Sequence, residues 1–125
     1  MRWLLHGPMT SAVADSLVRH EQKATDMLAA GLPPEASPAV VLEAAHKGQY
    51  DLLTTDATLV EVAFQTPIPF IRTIVYLQLE GSDVEQDDAI DRLFARYKRL
   101  TPGRLYTVTA SRVKVRQLPS GKVAR

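Results

Sequence analysis

No cysteine occurs in the 125-residue chain, so disulfides, thiolate metal sites and a cysteine nucleophile are excluded. That fits a reducing cytoplasm, which is the expected location. No apolar run approaches the ~20 residues of a membrane-spanning helix, so no membrane segment is expected. The opening Met1-Arg2-Trp3-Leu4-Leu5-His6-Gly7-Pro8 is too short for the ~7–15-residue apolar core of a signal peptide. The six glycines are scattered. They form neither a G-x-x-x-x-G-K-[ST] phosphate loop nor a G-x-G-x-x-G after a strand, which argues against a nucleotide-cofactor enzyme. Ser11, Ser16, Ser37, Ser82, Ser111 and Ser120 lack the G-x-S-x-G setting of a hydrolase nucleophile. No internal repeat or low-complexity segment is seen.

What is present is the composition of a globular protein: 46% hydrophobic and 23% charged residues. The length suits one domain, expected over 1–118, with 119–125 as a tail. A net charge of +1 hides a division. Residues 1–80 hold five Lys/Arg against nine Asp/Glu, whereas residues 81–125 hold ten against five. From Arg92 to Arg125 there is no acid at all. Such a one-sign stretch attracts phosphates. It also reads as a solvated helix face with an exposed strand. Arg96, Lys98, Arg99, Arg104, Arg112, Lys114 and Arg116 are the candidate nucleic-acid contacts.

Arg2–Leu5 reads as a strand broken by Gly7-Pro8, and Thr10 or Ser11 caps a helix to about His20. Lys23–Leu28 has a poor strand pattern. Ser37-Pro38 opens a second helix, with a good cap followed by proline at the first helical position. Lys47-Gly48-Gln49 closes it. Asp51–Thr54 is a short buried strand. Asp56 opens a third helix, which Pro67 and Pro69 stop. In Arg72–Leu79 the run Ile74-Val75-Tyr76-Leu77 marks a central strand covered on both faces. Ser82-Asp83-Val84-Glu85 is a capping-box pattern before a helix with Ile90, Leu93, Phe94 and Tyr97 on one face. Asp88 and Arg92 are spaced to pair. Leu105–Thr109 and Arg112–Leu118 read as two strands around Ala110-Ser111, the last alternating as a charge-protected edge. The order implies an α/β domain of three layers, α/β/α, with a mainly parallel sheet and a C-terminal β-hairpin.

Asp56 stands where a strand ends, and the carboxyl ends of parallel strands are where open α/β sheets bind ligands. It is a candidate metal ligand or catalytic group, and equally a good helix cap. His6 ends the first strand and could face Asp56 across the strand ends. His20 and His46 fall near helix C-termini, where partial positive charge suits the dipole. Glu43 and Glu61 are helix acids that could assist Asp56; Glu61, five residues on in the same helix, can approach only partly, and Glu43 also reads as a solvated helix residue. The run Asp83, Glu85, Asp87, Asp88 and Asp91 complements a helix N-terminus.

Several of these stretches resemble a known group. Leu4-Leu5-His6-Gly7-Pro8, Ala36-Ser37-Pro38, Leu52-Leu53-Thr54-Thr55-Asp56, Thr73–Gln78 and the closing Val113-Lys114-Val115-Arg116 look like the short PIN-like proteins. These are prokaryotic relatives of PIN-domain ribonucleases, VapC-type toxins among them. The resemblance implies the PIN-like fold, RNA as substrate and Mg or Mn as cofactor. It also admits a homodimer or a toxin–antitoxin partner. In that group the first strand ends Asp-Glu-Asn, where this chain has His6-Gly7-Pro8. An acid opens the second helix, where this chain has Pro38, and another follows the third strand, where this chain has Thr58. Only Asp56 is kept, and one carboxylate cannot hold two Mg²⁺ ions. Two functions follow. The first is a divergent metal-dependent ribonuclease using Asp56 and His6, with Asp56 on the metal. The second is a non-catalytic module that binds RNA or a protein.

Overall fold

The computed structural model describes residues 2–65, 70–79 and 82–119. In chain order its elements are β1 (Arg2–His6), α1 (Ser11–Arg19), β2 (Lys23–Thr25), α2 (Pro38–Gly48), β3 (Asp51–Thr54), α3 (Ala57–Gln65), β4 (Ile74–Leu77), α4 (Asp83–Arg96), β5 (Arg104–Val108) and β6 (Val113–Gln117). Pro67 and Pro69, expected to stop α3, lie outside the described residues.

Local chemistry accounts for the helix starts. The Thr10 hydroxyl accepts the Ala12 N–H, Ser37 accepts the Val40 N–H ahead of Pro38, and Ser82 accepts the Glu85 N–H. Helix α2 ends on Gln49, which takes a left-handed φ of 59°. The Gln86 side chain, buried in α4, accepts the N–H of Thr10 at 3.0 Å and so fixes the start of α1 against α4.

The six strands form one sheet in the order β2-β1-β3-β4-β5-β6. All pairs are parallel except β5 with β6. Side chains alternate between two cores, as the two-residue period of a strand requires. Trp3, Leu53, Val75, Leu77, Tyr106 and Val108 pack with Val13 and Leu17 of α1 and Ile90 and Leu93 of α4. Leu4, Leu52, Ile74 and Leu105 pack with Val41 and Leu42 of α2 and Leu59 and Ala63 of α3. On β6, Val113 and Val115 turn toward the α1–α4 core while Lys114 and Arg116 take the other face.

Three sequence expectations change. Strand β2 stops at Thr25 rather than Leu28, because Asp26 begins a turn, its carboxylate accepting the Ala29 N–H at 2.7 Å. Strand β4 begins at Ile74, not Arg72, since the Thr73 N–H donates to the Asp51 carboxylate at 3.0 Å. Arg92 does not pair with Asp88. Its guanidinium donates to the Thr109 carbonyl at 2.9 Å, which ties α4 to the strand ends. The acids of α4 also do more than complement its dipole. Asp87 and Asp91 pair with Arg19, and Asp91 with His20, across the α1–α4 contact. Among the described residues no helix is long and apolar enough to cross a membrane.

Asp51 is only 4% exposed. Burial pushes its carboxyl above the ordinary range, opposed by the Thr73 hydrogen bond and by Arg72. A raised folded-state value means that the neutral form is favoured in the fold. The associated stability is fully present below the unfolded value and is lost as pH rises through the folded one. Asp51→Asn keeps an acceptor for Thr73 and removes the titration. Urea unfolding across the acid range should therefore show wild type losing stability relative to the variant as pH rises. A parallel pair of curves would rule this out.

Candidate functional site

Strands β1 and β3 lie side by side with their ends level, His6 opposite Thr54. From β1 the chain runs outward to β2 and then crosses back to β3, so the strand order reverses between β1 and β3. The carboxyl end of such a reversal is the usual ligand crevice of an open α/β sheet.

Three residues meet there. The Thr54 hydroxyl accepts the Asp56 N–H at 3.0 Å and lies 2.8 Å from His6 Nδ1. The hydroxyl has one proton and two lone pairs, so it can serve His6 Nδ1 as well as the Asp56 N–H. His6 is 8% exposed. Burial holds its pKa below the ordinary histidine value, and the Asp56 charge opposes this. The ring is therefore neutral near pH 7. Asp56 accepts the Thr58 N–H at 2.9 Å, so its side chain caps α3.

Gly7 holds the two strand ends together. The Thr55 N–H donates to the His6 carbonyl at 3.1 Å, and the Thr55 hydroxyl donates to the Pro8 carbonyl at 2.9 Å. Between them Gly7 takes φ +93° with no room for a side chain on the Thr55 side.

Over these ends opens a cleft of about 830 Å³. Its walls are largely apolar, with Leu5, Met9, Met27 and Leu28 among them, and carry His6, Asp26, Glu35 and Asp56. Asp26 and Glu35 are missed by sequence reading. The signal lies in β2, whose weak strand pattern hides that it runs parallel beside β1, Thr25 opposite Leu4, so that Asp26 follows near the cleft. Glu43 and Glu61, considered as helpers of Asp56, are exposed and do not line the cleft. Among the described residues no Lys or Arg lines it, and its charged side chains are the acids Asp26, Glu35 and Asp56. Among the described residues no three His, Asp or Glu side chains converge to hold a metal ion. The donor set does not fit a two-metal centre, which needs several carboxylates around ions ~3.5–4 Å apart.

The basic candidates lie elsewhere and do not form one patch. Arg96 sits in the last turn of α4, its guanidinium over the Tyr97 ring, and Lys98 and Arg99 follow. Arg104 and Arg116 lie near the opposite end of the sheet from His6. Arg116 packs over the Phe64 ring at 4.2 Å. Arg112 and Lys114 are exposed at the end of the sheet that carries the cleft, but on its far edge.

No family model matches the chain. No match was found among the curated proteins, and none among the solved structures.

Proposed function

We propose that this chain is a PIN-like domain of three α/β/α layers closed by a β5–β6 hairpin, related to metal-dependent ribonucleases, and that it works as a non-catalytic RNA-binding module. The linkage His6–Thr54–Asp56 carries the reading. Where two-metal chemistry needs a ring of carboxylates, this strand end offers a neutral imidazole and one carboxylate that caps a helix. The exposed cations Arg112 and Lys114, which form no ion pair among the described residues, support RNA as the partner. A second reading, a single Mg²⁺ or Mn²⁺ at Asp56 with RNA cleavage, is favoured by Asp26 and Glu35 sharing the cleft.

Incubating mixed single-stranded RNA with Mn²⁺ or Mg²⁺, beside Asp56→Asn, separates the two. The module reading expects binding by both proteins and cleavage by neither. Metal-dependent cutting that disappears in Asp56→Asn would overturn it. Stability gives an independent check. Asn also caps helices, so Asp56→Asn should change unfolding free energy by only a few tenths of a kcal/mol, whereas Asp56→Ala should cost ~1 kcal/mol. Equal, large losses in urea unfolding would contradict the cap.

A further inference from the structure

Strand register lines up one polar row across the sheet. His6 pairs with Thr54, Thr54 with Tyr76, Tyr76 with Thr107, and Thr107 with Lys114. All five lie on the face shared with α2 and α3, since each is two residues or an even step from a side chain in that core. At a strand spacing of ~4.8 Å the row spans ~19 Å. Exposure rises along it: His6 and Thr54 are buried, Tyr76 and Thr107 half-buried, and Lys114 exposed. The row thus emerges from beneath the helices toward β6.

We propose that single-stranded nucleic acid lies across this open part of the sheet, with the Tyr76 ring stacking a base and Lys114 and Arg112 holding the backbone. This rests on the RNA-binding reading above and assigns it a surface away from the acidic cleft. An aromatic ring with cations farther along the same face, here Lys114 two strands from Tyr76, is an arrangement that holds single strands irrespective of sequence. Tyr76 is half-buried against the α2–α3 core, its ring stacks on no other ring among the described residues, and Lys114 and Arg112 face no carboxylate there within ion-pair distance. Thr107 Oγ makes no hydrogen bond among the described residues, which leaves it open to a sugar or phosphate oxygen. Arg116, held over Phe64, extends positive charge along the same face. The charged side chains of the cleft are acids, whereas those of the β6 side are cations, so charge complementarity favours the β6 side.

The test is fluorescence anisotropy with a short labelled single-stranded RNA of mixed sequence, in chelator and at several salt concentrations. Tyr76→Leu keeps apolar bulk and removes the stacking face, and should weaken binding about tenfold. Tyr76→Phe keeps the ring and should bind like wild type. Lys114→Gln, on an exposed strand position, should weaken binding about fivefold at 0.1 M salt and flatten the slope of log K against log salt by about 0.7. Thermal melting confirms that each variant is folded. Wild-type affinity and salt slope in both Tyr76→Leu and Lys114→Gln overturn the proposal while leaving the RNA-binding reading intact. Binding lost only in Asp56→Asn moves the RNA to the cleft and also overturns it. If wild type binds no RNA, the module reading falls as well.

Discussion

Trp3→Ala is expected to cost ~3–5 kcal/mol, a large part of the ~5–15 kcal/mol that holds a domain of this size. Trp3 is fully buried in the α1–α4 core beside Leu17, Leu53 and Leu93. Its register position lies between Ala24 of β2 and Asp51 of β3. Its indole N–H donates to Gln22 Oε1 at 2.9 Å, so the ring also holds the chain that leads into β2. Alanine leaves a cavity that two sheet neighbours and a helix cannot all close. Trp3→Phe retains most of the volume and loses that hydrogen bond, with an expected cost nearer ~1–2 kcal/mol. Trp3 is the single tryptophan, so circular dichroism rather than fluorescence should follow the urea transition. A loss below ~1 kcal/mol for alanine would mean that the β1–α1–α4 contact is not a tight core.

Gly7→Ala should cost ~2–3 kcal/mol, unusual for adding one methyl group. Two effects combine. The φ of +93° is a backbone state that L side chains rarely adopt, and an added Cβ would lie 2.4 Å from the Thr55 hydroxyl oxygen. To make room the Thr55 hydroxyl must leave the Pro8 carbonyl, which separates the two strand ends that carry His6 and Asp56. Denaturant melts measure the loss. Amide exchange at Thr55 and Asp56 should report the opening, since the Asp56 N–H is held by Thr54. An alanine variant as stable as wild type, with unchanged exchange at these two amides, would show that the loops relax freely. The variant also separates fold from function: the RNA binding proposed for the β4–β6 face should survive wherever the protein remains folded.

Features that act over a few residues were legible in the sequence. Thr10, Ser37 and Ser82 cap helices as their types and spacing predict, and the Ile74-Val75-Tyr76-Leu77 run forms a central strand, buried except at the half-buried Tyr76. The cap role of Asp56 was also readable, because it needs only the next helical turn. Features set by long-range pairing were not. That β1 lies against β3, so that Thr54 bridges His6 and Asp56, depends on a crossover through β2 and α2. Asp26 and Glu35 come to the cleft by the same route. The polar row crosses strands separated by up to 108 positions in register, from His6 to Lys114, and no local pattern announces it. Arg92 illustrates the same limit from the other side: the helical neighbour Asp88 suggests a pair, but the carbonyl of a distant loop takes the guanidinium.

The order of the strands also bears on the chain as it is being made. From β3 onward each new strand docks beside the one just completed, so the growing sheet always has a fresh open edge. Until β6 arrives, that edge is β5, whose Leu105, Tyr106 and Val108 are buried in the finished protein. A nascent or truncated chain that stops short of Val113 therefore presents an apolar ribbon with unpaired backbone groups, the kind of surface through which chains associate. The last strand, with Lys114 and Arg116 along it, replaces that ribbon with a charged border. In this sense β6 is a built-in terminator of the sheet, an edge guarded by charge of the kind that discourages strand addition.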